Sequence, residues 1–214
     1  MLRRGLYVIV DLDHLPQDLP QGALWLAAEA LAGGAVALQL RAKGRAREEL
    51  TQLAREMAQL CAPRGVPLFI NDDPQAAADS GAQAVHLGQE DLDDWPIQRV
   101  RRMLGAGALV GISSHDLQQA RAAQAAGADY VAFGPVYSAR TKGSDDAPRG
   151  VEMLAEVCSA IIKPVVAIGG IDASNVADIA ATGAQMAAVI TAVSKANEPR
   201  AATIELARAF KVGG

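Results

Sequence analysis

Three polar side chains alternate along the end of one short apolar segment. Gln39, Arg41 and Lys43 are each separated by one residue, so in an extended chain all three project to the same side. Arginine offers a planar fork of N–H donors and lysine a mobile point charge, a combination that suits a diphosphate. The alternative is a strand end whose charges simply meet solvent. A further cation from a distant loop, Lys142, favours the diphosphate interpretation.

Two aspartates follow two other apolar segments, and their chemistry is that of a magnesium site. Asp72 comes after the segment 67–70, and Asp91 comes shortly after the segment 84–87. If these segments are neighbouring strands roughly 4.8 Å apart, both carboxylates can share one hard cation. Mg²⁺ prefers one or two carboxylates together with waters and phosphate oxygens. The alternative is that either aspartate caps the following helix, a role for which Asp72 is well placed before Pro74.

A pair of glycines, Gly169 and Gly170, follows another apolar segment and precedes a predicted helix. Backbone N–H groups at such a turn can bind a phosphate, and barrels often place a phosphate after the seventh or eighth strand. The alternative is that the glycines only relieve backbone strain. The position after the seventh apolar segment favours the phosphate site.

The histidines and cysteines give no recognisable nucleophile or acid–base pair. His86 is expected to face the barrel interior or the helix layer, His115 to open a helix, and His14 to lie in a surface loop. Cys61 and Cys158 lie in predicted helices without partners at metal-ligand spacing. The pair therefore predicts reduced core thiols in a cytoplasmic protein.

These residues are positioned by eight short apolar segments, each followed by a polar turn and an alanine-rich helical stretch. Such alternation predicts parallel strands with the helices outside. Eight units in 214 residues favour a single closed (β/α)8 TIM barrel, one domain over 1–214, rather than an open doubly wound sheet. The polar residues then meet at the carboxyl edge of the strands, where barrels build their active sites. The predicted strands are 6–10, 36–40, 67–70, 84–87, 109–112, 130–133, 164–168 and 186–190, and the predicted helices are 22–33, 46–62, 74–80, 96–104, 116–126, 150–161, 174–182 and 199–211.

Composition restricts the partners of the protein. Hydrophobic residues make up 50% of the chain and aromatic residues only 4%, which predicts an aliphatic core. A net charge of −4 argues against a basic surface for nucleic acid or an anionic membrane. The first apolar run, 6–10, is too short for a signal peptide or a membrane span.

The segments that follow the predicted strands resemble the thiamine-phosphate synthase family in order and spacing, nearly from end to end. The most specific elements are Gln39-Leu-Arg-Ala-Lys43 and Gly88-Gln-Glu-Asp91. Asn71-Asp72, Gly111-Ile-Ser-Ser-His115, Thr141-Lys142 and Ala167-Ile-Gly-Gly-Ile171 agree with them.

The resemblance implies a transferase that joins hydroxymethylpyrimidine diphosphate to a thiazole phosphate and releases thiamine phosphate and pyrophosphate. In the family the diphosphate leaves first, and the thiazole nitrogen then attacks the pyrimidine cation. Such a reaction depends on charge stabilisation and positioning more than on acid–base chemistry. The resemblance also implies Mg²⁺ bound by Asp72 and Asp91, and it leaves open whether the protein is a homo-oligomer.

The resemblance further assigns the site residues. Those that would hold the pyrimidine diphosphate are Gln39, Leu40, Arg41, Ala42, Lys43, Asn71, Ser113 and Lys142. Those that would meet the thiazole phosphate are Ala139, Arg140, Thr141, Gly170, Ile190 and Thr191. Within these sets the catalytic residues are Arg41, Lys43, Ser113 and Lys142.

Three positions depart from the family pattern. Asp73 stands where many relatives have arginine, which adds negative charge beside the expected metal. Ala139 stands where a threonine is common, so one hydroxyl for the thiazole phosphate is missing. Thr191 replaces a serine but keeps a hydroxyl. Only the change at Ala139 puts a role in doubt.

Two other functions compete with the synthase. The thiazole tautomerase branch of the superfamily shares the fold, but it carries a histidine where this chain has Pro135. A non-catalytic phosphate-binding regulator would not need the complete set of cations and carboxylates. The sequence therefore favours the synthase.

Overall fold

A closed barrel of eight parallel strands forms the centre of the protein, and the strands pair in chain order with the first against the last. The computed structural model describes residues 2–15, 21–82, 84–138 and 147–213. The strands are β1 (Gly5–Asp11), β2 (Ala37–Arg41), β3 (Leu68–Asn71), β4 (Ala84–Leu87), β5 (Leu109–Ser114), β6 (Tyr130–Phe133), β7 (Val165–Ile168) and β8 (Met186–Val189). The predicted (β/α)8 barrel is confirmed, with each predicted strand end within two residues of the observed one.

Helices surround the barrel. They are α1 (Gln21–Ala32), α2 (Arg47–Cys61), α3 (Pro74–Ser80), α4 (Ile97–Leu104), α5 (Leu117–Ala126), α6 (Val151–Ala160), α7 (Val176–Ala181), α8 (Thr191–Ser194) and α9 (Pro199–Val212). Asp73 and Asp116 begin α3 and α5, because their carboxylates accept hydrogen bonds from backbone N–H groups of the first turn. The sequence did not predict α8, since four residues are too few to show a helical period.

The core has two layers of different composition. Between strands and helices it is mostly aliphatic, as predicted, with residues such as Leu6, Val8 and Val10 of β1, and it also contains the buried rings of Phe133 and Phe210. Inside the barrel the prediction is wrong, because Tyr7, Phe69 and Tyr130 are fully buried and pack with ring centroids 5.3 to 6.1 Å apart. These three aromatic side chains lie inside the barrel, where large side chains fill the space between facing strands.

Two further expectations concern the thiols and the membrane. Cys61 and Cys158 are both free, as predicted, and burial raises the pKa of Cys61 to about 11. In the described ranges no helix combines the length and the hydropathy that crossing a bilayer requires.

Candidate active site

Two adjoining cavities open at the carboxyl end of the strands. The inner cavity has a volume of about 180 Å³, and the predicted site residues that line it are Gln39, Arg41, Lys43, Asn71, Asp72, Ser113 and Ile190. The outer cavity has a volume of about 1100 Å³ and includes the predicted residues Gly170, Ile190 and Thr191. Arg41, Ser113 and Ile190 line both cavities, so the two spaces share a wall.

Strand β2 delivers its polar residues to the inner cavity. Gln39 and Arg41 point inward from alternate positions, and Lys43 follows just beyond the strand end. Leu40 is fully buried in the aliphatic layer outside the barrel, and Ala42 packs against that layer. The side chains of Leu40 and Ala42 therefore point away from the cavity, and only their backbone atoms can meet a ligand there.

Arg41 is anchored by a buried carboxylate at the end of β1. Its Nη1 donates to Asp11 Oδ2 at 2.9 Å, and His14 Nδ1 lies 3.0 Å from the same oxygen. Asp11 also caps the short turn Leu12–His14, which brings His14 back to the Asp11 carboxylate. His14 lies in the connection between β1 and α1, but its side chain is only 14% exposed and is thus more buried than the predicted surface loop implied.

Asp72 lies in a bend between β3 and α3 and faces Lys43. Its φ of 61° falls in the left-handed region, which aspartate tolerates better than most residues. Lys43 Nζ lies 3.5 Å from Asp72 Oδ2. The alternative role of Asp72 as a helix cap is wrong, because it is Asp73 that caps α3 by accepting from the backbone N–H of Ala76.

Asp91 comes into contact with Asp72, and the pair fits a hard cation. Burial, and next the negative charge of Asp91, raise the pKa of Asp72 to about 6, while Lys43 acts in the opposite direction. Asp91 also closes the turn after β4, since Gly88 N donates to its Oδ2 at 2.7 Å. Two carboxylates that repel each other when ionised are stabilised by a divalent cation between them.

The described residues contain no cluster of three or more histidine, cysteine, aspartate or glutamate side chains placed to hold a metal. A cation at Asp72 and Asp91 would therefore leave its remaining positions to waters and ligand oxygens, as Mg²⁺ commonly does. The donor set of this pair fits Mg²⁺ better than a metal that requires a complete protein cage.

A continuous row of buried polar groups crosses the floor of the inner cavity. Gln39 Nε2 donates to the Tyr7 hydroxyl at 2.9 Å, and this hydroxyl lies 3.1 Å from that of Tyr130. The Tyr130 hydroxyl lies 2.8 Å from His86 Nδ1, and His86 Nε2 lies 3.0 Å from Ser113 Oγ. Sequence reasoning treated His86 as a packing residue and missed both tyrosines. The available signal was a polar group at an inward position of three otherwise apolar strands.

The outer cavity is bounded by the glycine turn after β7 and by α8. A Cβ on Gly170 would lie 2.7 Å from the carbonyl oxygen of Ser138, and its φ is 63°, so this position requires glycine. Lys195 lines the same cavity just after α8, and no ion pair engages it in the part of the chain that is described. This cation was not predicted from the sequence, because α8 was not predicted either.

Not all predicted site residues belong to the described structure. Ala139, Arg140, Thr141 and Lys142 lie outside the described residues. Asp91 reaches the inner cavity through its contact with Asp72 rather than as a lining residue.

Comparison with known proteins agrees with this geometry. The model of the thiamine monophosphate synthase family matches residues 6–193. The thiamine-phosphate synthase of Anaeromyxobacter dehalogenans is 42% identical over 210 residues, covering 98% of this chain and 89% of that protein. That of Thiobacillus denitrificans is 46% identical over 182 residues, covering 85% and 84%. The solved thiamine phosphate pyrophosphorylase from Pyrococcus furiosus superposes with a TM-score of 0.87 at 32% identity, covering 99% and 98%. The chain belongs to the thiamine-phosphate synthase family.

Proposed function

We propose that this protein is a thiamine-phosphate synthase, a transferase of thiamine biosynthesis. It condenses hydroxymethylpyrimidine diphosphate with a thiazole phosphate and releases thiamine phosphate and pyrophosphate. The observation that carries the proposal is the pair of adjoining cavities with a shared wall. The inner cavity combines two amides, two cations and the carboxylate of Asp72, which contacts Asp91, and the outer cavity combines a glycine turn, a hydroxyl and a lysine.

The inner cavity takes the pyrimidine diphosphate. Gln39 is only 3% exposed and lies on the cavity floor, where it can meet the pyrimidine ring. Arg41 is half-buried and Lys43 exposed at the mouth, which suits a diphosphate that reaches toward solvent. Asn71 and Ser113 add polar contacts, and the family resemblance adds Lys142 as a further cation. The thiazole phosphate occupies the outer cavity, with its phosphate near Gly170 and Thr191.

Asp72 and Asp91 would hold Mg²⁺ beside the diphosphate. When bound there, the ion would neutralise charge on the diphosphate oxygens and so make the diphosphate a better leaving group.

The reaction needs charge stabilisation rather than proton transfer. The bond between the pyrimidine methylene carbon and the diphosphate oxygen breaks, and its electron pair leaves with the diphosphate. Arg41 and Lys43 stabilise the negative charge that grows on that oxygen. The thiazole nitrogen then forms the new C–N bond with its lone pair. No proton moves, which agrees with a neutral His86 whose pKa burial lowers to about 4.

A direct assay tests this function. Purified protein with both substrates and Mg²⁺ is expected to form thiamine phosphate, measured by fluorescence after oxidation, and to form none when either substrate is omitted. Isomerised thiazole phosphate without thiamine phosphate would indicate a tautomerase instead. Binding of both phosphates without any product would indicate a regulator.

Lys195 is predicted to act on one substrate only. In Lys195→Ala the KM for the thiazole phosphate should rise about tenfold, because an exposed lysine gives the phosphate one charge-assisted hydrogen bond. The KM for the pyrimidine diphosphate should stay nearly unchanged, since Lys195 lines only the outer cavity. Separate titrations of the two substrates measure both values. Lys211→Ala, on α9 and outside both cavities, is the matched control. An equal rise for both substrates would contradict the assignment.

A further inference from the structure

The polar row on the cavity floor links two residues of the proposed substrate site, Gln39 and Ser113. The three residues between them were not predicted from the sequence to take part in that site. Tyr7, Tyr130 and His86 connect Gln39 to Ser113 by four hydrogen bonds of 2.8 to 3.1 Å. Tyr7 and Tyr130 are at most 1% exposed, and His86 is 9% exposed. Water therefore does not substitute for these bonds, and each group depends on its neighbours in the row.

Counting hydrogens shows that the bonds are not independent. Burial raises the pKa of both tyrosines well above the usual value, so each keeps its single hydroxyl hydrogen. Burial also keeps His86 neutral, with one N–H and one acceptor nitrogen. If all four bonds are made and neither buried tyrosine leaves its hydroxyl hydrogen without an acceptor, every connecting group must accept on one side and donate on the other. The row then has only two states, and they differ in direction throughout.

We propose that this row is a one-way hydrogen-bond relay in which the orientation of the Gln39 amide sets whether Ser113 donates or accepts in the inner cavity. In the present arrangement Gln39 Nε2 donates to Tyr7. Tyr7 must then donate to Tyr130, and Tyr130 to His86 Nδ1. His86 carries its proton on Nε2 and donates to Ser113 Oγ. The Ser113 hydroxyl hydrogen is left free to donate to a ligand oxygen.

The reversed state would give the site a different chemistry. With the amide turned over, Ser113 would donate to His86 and offer only lone pairs to the cavity. A diphosphate presents only acceptor oxygens, so it matches the present direction and not the reversed one. Tyr7 and Tyr130 thereby become positioning residues that act through Ser113. This ligand match rests on the proposed function, whereas the direction of the relay does not.

Packing around Tyr130 fixes the positions of the side chains in the relay. Tyr130 stacks on His86 at 5.6 Å with 12° between the ring planes, and it meets Phe69 edge-on at 5.3 Å. Its ring also occupies the space beside Gly111, where a Cβ would clash with the ring. Because this packing restrains the rings of Tyr130 and His86, the property of the row that can still change is the direction of its hydrogen bonds.

The tautomer of His86 tests the relay without any substrate. Long-range ¹H–¹⁵N NMR of the labelled wild type, with His86 assigned by its loss in His86→Gln, should show the proton on Nε2. Gln39→Glu, recorded at about pH 9 so that the new carboxyl group is ionised, leaves an acceptor-only group at this end. Tyr7 must then donate to Glu, and the proton of His86 should move to Nδ1. A wild-type proton on Nδ1, or no movement in Gln39→Glu, would overturn the relay.

A double substitution separates the relay from a local effect. Tyr130→Phe removes the middle link, so adding Gln39→Glu to it should no longer move the His86 proton. Tyr7→Phe breaks the row one step earlier and serves the same purpose if Tyr130→Phe does not fold. A tautomer that still follows residue 39 in either background would refute transmission through the tyrosines.

Kinetics then connect the relay to the reaction. Tyr130→Phe is expected to lower kcat about tenfold to a hundredfold, the value of one hydrogen bond to a charged group, with the thiazole phosphate KM unchanged. A change in the thiazole phosphate KM alone would contradict the role through Ser113. If the wild type forms no thiamine phosphate, the proposed function fails, and the tautomer measurement still decides the relay.

Discussion

Replacing Asp91 by asparagine lowers turnover by about 100-fold or more and leaves the protein folded. The expected loss is that of a metal ligand, since a bound cation contributes several kcal/mol to stabilising a charged leaving group. Asparagine keeps an oxygen that accepts the hydrogen bond from Gly88 N, so the turn after β4 survives. The free energy of unfolding should therefore change by less than about 1 kcal/mol. Turnover at increasing Mg²⁺ concentration and chemical denaturation measure the two effects.

A second readout distinguishes a ligand from a structural residue. Mn²⁺ binding to the substrate-free protein, followed by water proton relaxation, should weaken in Asp91→Asn and in Asp72→Asn. Asp93→Asn is the matched control, because Asp93 is exposed in the same segment and lines neither cavity. If Asp91→Asn unfolds the protein while the folded remainder keeps full activity, the turn is its only role.

Arg41→Ala is expected to lower kcat on the order of 1000-fold. The guanidinium can give the diphosphate two charge-assisted hydrogen bonds, each worth roughly 1.5–3 kcal/mol, and these strengthen as charge grows on the leaving oxygen. Arg41→Lys keeps the charge but loses the planar fork, so its activity should lie between wild type and Arg41→Ala. Steady-state kinetics with the pyrimidine diphosphate varied give kcat and KM for each variant.

Because Arg41 also contacts Asp11, its effect on stability must be separated from its effect on the reaction. Removing Arg41 leaves the Asp11 carboxylate buried, with His14 as its remaining side-chain partner among the described residues, so some loss of stability is expected as well. Arg55→Ala removes an exposed arginine of α2 that lies outside both cavities, and it should keep full activity. An effect of Arg41→Ala confined to KM would mean that Arg41 binds ground state and transition state equally.

The parts of this site that could be predicted from the sequence follow from patterns within short segments of the chain. Alternation of apolar strands and alanine-rich helices fixes the barrel, and the barrel brings every strand end to one edge. Because strand side chains alternate, the inward direction of Gln39 and Arg41 follows from the sequence as well. The residue order around Asp72 and Asp91 then places two carboxylates after adjacent strands, and their contact follows from the fold.

Contacts across the barrel axis were not predictable in the same way. Tyr7 and Tyr130 are 123 positions apart, and only the closure of the barrel brings their hydroxyls together. Nothing local distinguishes such a tyrosine from an ordinary core residue. The roles of Asp72 and Asp73 were also not predictable from the sequence, because either of two adjacent aspartates can cap the helix that follows. The backbone geometry decides which of them caps α3 and which faces the cavity.

A crystal structure with thiamine phosphate, pyrophosphate and Mg²⁺ bound gives the most direct measurement of how the two cavities divide the substrates. We expect the pyrophosphate in the mouth of the inner cavity between Arg41 and Lys43, with Mg²⁺ on Asp72 and Asp91. The phosphate of thiamine phosphate should lie beside Gly170 and Thr191 in the outer cavity. Pyrophosphate beside the glycine turn, or Mg²⁺ bound away from both aspartates, would contradict this arrangement.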